Sequence, residues 1–209
     1  MSAIVNYGTL KDAVRDYTHR RDLNDNRMDI FMQAAQMRIN QVVRSRYNEQ
    51  SAVLTPIVDP SGTRYALPTD FLEARALYNA NMAVPLLLTP VLEKTARYGS
   101  AMAGYGYAYY IRGLSIYAVG NSTEIAGNLT VEYYSAFPPF TNDAQGDALL
   151  TRYPMAYFYG IMEQYCLFAD EDQDVINRWK GQFENLLNEI NSESQEAQYS
   201  GAPLRTRIA

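Results

Sequence analysis

The sequence predicts an α+β fold, in which a helical bundle built from the N- and C-terminal helices carries an inserted antiparallel β domain. Apolar residues recur at helical spacing near both ends of the chain, whereas the middle is rich in β-branched and aromatic residues broken by Gly, Pro and Asn. Short connections between the predicted strands favour antiparallel pairing. Neither end buries its own apolar stripe, so the helices of both ends must pack together. The predicted boundaries are 1–48 plus 141–194 for the bundle, 49–140 for the β domain and 195–209 for a C-terminal tail.

Two helices are predicted in the N-terminal segment. Thr9 is the expected cap of the first helix, with Asp12 completing a capping box. The second helix is predicted from about 25 to 47. Its apolar stripe consists of Met28, Phe31, Ala35, Ile39, Val42 and Val43.

The middle of the chain predicts a series of short strands. A hairpin is expected from residues 53–58 and 64–67, which flank a turn at 59–62. Further strands are predicted at 73–78, 84–88, 107–112, 115–119 and 129–135. Thr89 and Pro90 have the pattern of a helix cap followed by a first-position proline, which predicts a short helix over 91–98.

Two helices are predicted near the C-terminus. Pro154 marks the start of an apolar helix that runs to about Ala169. Asp170, Glu171 and Asp172 are expected to begin the last helix, where acidic groups favour the positive end of the helix dipole. The apolar stripe ends near Ser194, so residues 195–209 are expected to be flexible or docked on a partner.

Composition excludes several classes of function. The 209 residues carry a net charge of -5, which argues against a free basic nucleic-acid binder. Single Cys and His residues exclude a disulfide framework and a metal site with several His ligands. No cofactor is expected, and no apolar stretch is long enough to predict a membrane span.

A search for catalytic side chains predicts no enzyme. His19 is interpreted as a helix-end residue, and Cys166 as a buried, inert thiol. The acidic run from Asp170 to Asp174 lacks the Gly and Glu that a Ca²⁺ loop needs. The Gly-rich residues 99–106 lack the Lys-Ser/Thr of a phosphate loop.

Tyrosine is abundant, with 18 residues in the chain. Several lie close together in the predicted strands: Tyr105, Tyr107, Tyr109, Tyr110 and Tyr117. Tyrosine is favoured in strands and at interfaces because it offers a large contact area with a polar tip. Sheet and interface packing, carbohydrate contact and base stacking all remain open, although the near-neutral local charge disfavours nucleic acid. A carbohydrate-binding tail module is therefore the alternative to a protein–protein contact function.

One series of motifs resembles a known family. Residues 65–73, YALPTDFLE, resemble the "YALPxDFLE" segment of phage head-to-tail adaptor proteins, also called connector or neck proteins. Residues 31–40, FMQAAQMRIN, are similar to that family's "FIxxAExRI" helix. Other similar segments follow in the same order: 7–10, 109–114, 129–134, 153–160, and 170–172 before Trp179. Together they span about 7–190.

The resemblance implies a structural virion protein of the phage neck or tail rather than an enzyme. Such adaptors form a ring, generally of twelve copies, beneath the portal protein. The ring joins the portal to the next tail component, a nozzle or tail tube. Phage DNA passes through the lumen without sequence-specific binding. The protein is expected to be made in the host cytoplasm, with no cofactor and no membrane association.

Three groups of contact residues are predicted on this basis. The C-terminal tail is the predicted portal contact, through Tyr199, Pro203, Leu204, Arg205, Arg207 and Ile208. The subunit or tail interface is predicted at Tyr105, Tyr107, Tyr109 and Tyr110. Four acids are predicted to face the lumen, where like charge repels DNA: Asp170, Glu171, Asp172 and Asp174.

Overall fold

The chain divides into two compact units, and the predicted α+β fold is confirmed. The computed structural model describes residues 3–20, 23–59, 62–79, 86–92, 108–119 and 127–199. One unit comprises Met1–Asn48 with Phe137–Ala209, and the other comprises Glu49–Ala136. Helices therefore occupy both ends of the chain and strands its middle.

The first unit, here called the helical unit, contains five α-helices within its described residues. They are α1 (Tyr7–Thr18), α2 (Asp25–Val42), α3 (Ala148–Arg152), α4 (Pro154–Phe168) and α5 (Gln173–Tyr199), with a 3-10 turn at Arg46–Asn48. Pro154 begins α4 as predicted, because a proline at the first helical position loses no intrahelical hydrogen bond. Helix α5 continues to Tyr199, beyond Ser194, where the apolar pattern ends.

The core of the helical unit is built from both ends of the chain. Its fully buried side chains include Leu10 of α1, Ile39 of α2, Ile161 of α4 and Ile190 of α5. Helices α2 and α4 approach closely at Gly160, where a Cβ atom would lie only 2.7 Å from the Cβ of Ala35. No larger residue fits at this position without displacing its neighbours.

The second unit, here called the β unit, contains two sheets. Its strands are β1 (Glu49–Leu54), β2 (Pro56–Asp59), β3 (Gly62–Ala66), β4 (Phe71–Asn79), β5 (Leu86–Leu87), β6 (Thr89–Pro90), β7 (Ala108–Arg112), β8 (Ser115–Val119) and β9 (Leu129–Ser135). The strand orders are β1-β9-β4-β5 and β2-β3-β8-β7-β6. Side chains alternate along β9, with Leu129, Val131 and Tyr133 buried. Both sheets contribute to one core, to which β3 and β8 add Tyr65 and Ile116.

The predicted hairpin is confirmed for residues 56–58 but wrong for 53–54, because the segment 53–58 belongs to two sheets. Residues up to Leu54 pair with β9, whereas Pro56 to Asp59 pair with β3. Both β1 and β2 are edge strands in the described sheets. Pro56 has no N–H to donate and is tolerated in an edge strand.

The predicted helix at 91–98 is also wrong where the structure describes it. Thr89 and Pro90 form β6, which runs parallel to β7, and Val91 N–H donates to the carbonyl of Tyr109 at 2.8 Å. This pairing satisfies the backbone in place of a helix, and it departs from the otherwise antiparallel pairing of the described strands. Residues 93–98 lie outside the described residues.

The ends of the two N-terminal helices differ from prediction. Helix α1 is capped by Asn6, whose side chain accepts from Thr9 N–H at 2.9 Å, while the Thr9 hydroxyl accepts from Asn6 N–H. Thr9 is therefore the third helical residue rather than the cap. Helix α2 ends at Val42 instead of about 47, because Asn191 of α5 bonds to its final turn.

Candidate interaction surfaces

The four acids predicted to face a lumen form an exposed corner between α4 and α5. Asp170 has a left-handed φ of 54° and follows the end of α4, where Glu171 N–H donates to the Cys166 carbonyl at 3.1 Å. The carbonyl of Asp172 accepts from Val175 at 2.9 Å, so it is Asp172 that leads into α5. Asp170 therefore ends one helix, and the prediction that it begins the next is wrong. All four acidic residues are exposed.

Two of the four predicted interface tyrosines lie in described residues. Tyr109 is buried in the core of the β unit, and burial raises the pKa of its hydroxyl. Tyr110 is half-buried and stacks on Tyr117, with ring centroids 5.1 Å apart and an interplanar angle of 6°. Tyr105 and Tyr107 lie outside the described residues. Only Tyr110 of the described pair thus presents part of its ring at the surface.

An open groove of about 590 Å³, here called the sheet groove, lies beside these tyrosines. Its described lining is largely apolar and comes from both sheets: Leu67, Phe71, Leu72, Glu73, Ala74, Pro90, Val91, Tyr109, Tyr110, Ile111, Gly113 and Leu114. Leu114, in the turn between β7 and β8, is 81% exposed. An apolar side chain held outward on a tight turn has the properties of a contact residue.

The predicted portal contact lies almost wholly outside the described residues. Tyr199 is the last residue of α5, and Pro203, Leu204, Arg205, Arg207 and Ile208 lie outside the described residues.

A second groove, of about 410 Å³, lies on the helical unit and was missed by sequence reasoning. This aromatic groove is lined by Ala3, Ile4, Ala13, Tyr17, Pro154, Met155, Phe158, Tyr159, Trp179 and Gln182. The indole of Trp179 packs edge-on against Tyr17 at 5.5 Å and lies 5.8 Å from the ring of Tyr159. Sequence analysis used Trp179 only as a landmark after residues 170–172, because apolar periodicity does not show which helices flank it.

A buried lysine joins three segments of the helical unit. The side chain of Lys11 is 6% exposed, and its Nζ contacts Asp25 at 3.1 Å and also Asp143. Burial alone would lower the pKa of Lys11, but hydrogen bonds to Asp143 and Asp25 outweigh burial and raise it. The ammonium is therefore held in its charged form and ties α1 to α2 and to the loop before α3.

A family model described as SU10 adaptor protein matches residues 5–207 of the chain. The chain belongs to the SU10 adaptor protein family. It is therefore a phage structural adaptor, a class of virion component that contacts other head and tail proteins. No curated protein matches the adaptor significantly.

The motif that carried the family resemblance is structural in the adaptor. Tyr65 is fully buried, and its hydroxyl donates to the Gly127 carbonyl at 3.1 Å. The Asp70 carboxylate accepts from the Tyr133 hydroxyl at 3.1 Å, and Phe71 stacks on the Tyr133 ring at 5.6 Å. Residues 65–73 therefore fasten the turn between β3 and β4 to the core of the β unit.

The reactive side chains singled out in the sequence have structural places in the adaptor. His19 is the C-cap of α1 with a left-handed φ of 52°. Cys166 is buried in α4, and burial raises the pKa of its thiol. Within the described ranges, no group of three His, Cys, Asp or Glu side chains is placed to hold a metal ion. None of the helices described combines the length and apolar character needed to cross a bilayer.

Proposed function

We propose that the adaptor forms a closed ring beneath the portal, joins it to the next tail component and lets phage DNA pass through the lumen. The observation that carries this proposal is the family match, which covers residues 5–207 and so includes both units. A ring needs two different surfaces on each copy, since each subunit contacts one neighbour on each side.

The two grooves support this proposal as candidate contact surfaces. The sheet groove and the exposed Leu114 offer apolar area on the β unit, while the aromatic groove offers it on the helical unit. Contiguous apolar surface of this kind is typical of protein–protein contacts. The tyrosine region around Tyr110 is, in this proposal, a contact with a neighbouring subunit or with the tail-side partner.

The acidic corner is proposed to lie at the lumen. Asp170, Glu171, Asp172 and Asp174 are exposed together, and residues 141–196 carry a net charge of -8. A negative wall repels the phosphate backbone, so DNA slides past without adhering.

Sedimentation of the purified adaptor, alone and mixed with portal rings at moderate salt, tests the function. We expect the free protein to sediment as a small species and the mixture to co-sediment as a defined multiple of copies per portal. If the protein does not bind portal rings and instead binds sugars on a glycan array, the result contradicts the proposal and favours the carbohydrate-binding alternative.

A further inference from the structure

The aromatic groove leaves a mostly apolar surface open on the helical unit. Trp179 forms its floor at 7% exposure, and Tyr17 and Met155 form walls that are 44% and 38% exposed. Aromatic and methionine side chains of this kind supply contact area to an apolar ligand at low conformational cost. The groove is thus suited to one or two aliphatic side chains of a peptide.

The C-terminal tail carries such side chains. Residues 200–209 read SGAPLRTRIA, with Leu204 and Ile208 as the bulky apolar positions. Pro203 disfavours helical backbone at Ala202 and fixes its own φ, so the segment that leads to Leu204 suits a peptide that lies extended in a groove.

Leu204 and Ile208 of a given copy cannot both reach that copy's own groove. Gln182 is the groove residue on α5 nearest the tail, and it precedes Tyr199 by about 25 Å of helix at 1.5 Å per residue. Leu204 extends at most about 17 Å beyond Tyr199. Ile208 extends at most about 30 Å beyond Tyr199, so it reaches Gln182 only when the tail folds back in a nearly extended form, which leaves Leu204 outside the groove.

Charge also favours this pairing. The tail contains Arg205 and Arg207 and no acidic residue, whereas residues 141–196 carry a net charge of -8. On α1, the exposed Asp12 and Asp16 flank the groove residues Ala13 and Tyr17. Asp12 pairs with Arg15 at 3.5 Å, and Arg178 lies over the Trp179 ring at 5.9 Å. The arginines beside Leu204 and Ile208 would therefore meet the carboxylate of Asp16, and such complementarity aligns a ligand and speeds its association.

We propose that the aromatic groove of each adaptor binds the C-terminal tail of a neighbouring copy, through Leu204 and Ile208. The groove lies toward the start of α5 and the tail follows its end, so the contact is directional and joins two different surfaces. This inference rests on the proposed ring, to which it assigns a subunit contact. It assigns the tail to a neighbouring adaptor subunit, whereas the sequence suggested that the tail contacts the portal.

Peptide binding to the full-length adaptor tests the inference directly. A synthetic peptide of residues 200–209 is titrated into the protein while the fluorescence of Trp179, the single tryptophan of the chain, is followed. We expect a saturable change in fluorescence. A peptide with Leu204→Ser and Ile208→Ser is expected to bind about tenfold more weakly or worse, because it lacks both apolar anchors.

Two methionine variants provide a matched control. Met155→Glu places a charge on the groove wall, in the first turn of α4, where an acidic residue is tolerated by the helix dipole. It is expected to weaken the peptide about tenfold or more. Met37→Glu makes the same change at a 65% exposed position of α2 outside the groove, and we expect unchanged binding. Circular dichroism confirms that both variants fold.

The outcomes separate this inference from the proposed function. Absence of saturable binding, or equal binding by Met155→Glu and Met37→Glu, overturns the groove–tail contact. If Met155→Glu still assembles on portal rings while deletion of residues 200–209 prevents it, the tail contacts the portal and the inference fails, although the adaptor function stands. If the unaltered protein binds the peptide but does not bind portal rings, the proposed function fails, whereas the groove–tail contact stands.

Discussion

At the scale of single residues, Asp147 combines a helix cap with a buried charge. Its carboxylate accepts from Leu150 N–H at 2.6 Å at the start of α3 and from the hydroxyl of Tyr157. Burial raises the pKa of Asp147, and these hydrogen bonds only partly offset that effect. The folded protein therefore takes up this proton at a higher pH than the unfolded chain does.

Asp147→Asn removes the charge while its Oδ1 still accepts from Leu150 N–H. Its Nδ2 takes the place of the second carboxylate oxygen and donates to the Tyr157 hydroxyl, which reverses the direction of that bond. Because the folded pKa of Asp147 is raised, the wild type gains stability from this group as pH falls through that pKa, and the variant does not. We expect the free energy of unfolding of the variant, relative to that of the wild type, to be highest near neutral pH and to fall on acidification. Urea unfolding of both proteins between pH 7 and 4 checks this.

Asp147→Ala serves as the contrasting change. It loses the cap and leaves the buried Tyr157 hydroxyl without its acceptor, at an expected cost of about 1–3 kcal/mol. A stability difference between Asp147→Asn and wild type that stays constant with pH would show that the carboxyl does not titrate differently on folding.

Gly160 offers a second test at this scale. An added Cβ would lie 2.7 Å from Ala35 Cβ and 3.0 Å from Phe183 Cζ, so Gly160→Ala is expected to destabilise the adaptor by about 1–3 kcal/mol. Gly181, also helical, has nothing within 4 Å of its added Cβ, and Gly181→Ala is expected to stabilise by about 0.5–1 kcal/mol. Urea midpoints that shift alike for the two variants would contradict the close approach of α2 and α4.

At the scale of elements, the end of α2 is set by a residue of α5. The Asn191 side chain accepts from Arg44 N–H at 2.8 Å and donates to the Val42 carbonyl at 3.0 Å. It therefore satisfies two backbone groups just where the helix stops. Ser194 adds a third link, since its hydroxyl accepts from Arg46 N–H at 2.9 Å.

Asn191→Ala is expected to reduce the free energy of unfolding by about 1–3 kcal/mol, because two backbone groups of the α2 terminus lose their partner. The control is Asn188→Ala on the exposed side of α5, expected within about 0.5 kcal/mol of wild type. Chemical denaturation of the three proteins makes the comparison. Equal stability of the two variants would mean that water replaces Asn191 at no cost.

At the scale of the whole molecule, the uneven distribution of charge bears on DNA passage. Reversal of the acidic corner to lysine should slow or trap DNA in assembled particles, because cations bind the phosphate backbone. The positions are Asp170, Glu171, Asp172 and Asp174. Ejection kinetics at two salt concentrations provide the measurement, since higher salt should relieve the delay.

A matched pair controls for net charge. Glu171→Lys with Asp174→Lys is compared with Glu189→Lys and Glu196→Lys, two exposed acids elsewhere on α5. Only the first pair is expected to delay ejection. Normal ejection by the four-site variant would show that the acidic corner does not face the lumen.

The sequence by itself determined most of the helical and extended segments, although not the strand at Thr89 and Pro90. Pro154 marked the start of α4, and alternation of apolar residues marked β9. These signals are local, because periodicity and first-turn preferences depend on residues within a few positions. The order of the family motifs indicated the adaptor family for the same reason, since each motif is a short local pattern.

Only the tertiary structure decided where elements end and which of them meet. Asn191 ends α2 from far along the chain, β9 and β3 divide the segment around Thr55 between two sheets, and β7 makes a strand of Thr89 and Pro90. The aromatic groove likewise exists because α1, α4 and α5 bring Tyr17, Phe158 and Trp179 together. Each of these results depends on backbone pairing or packing between distant residues, which no local window of sequence contains.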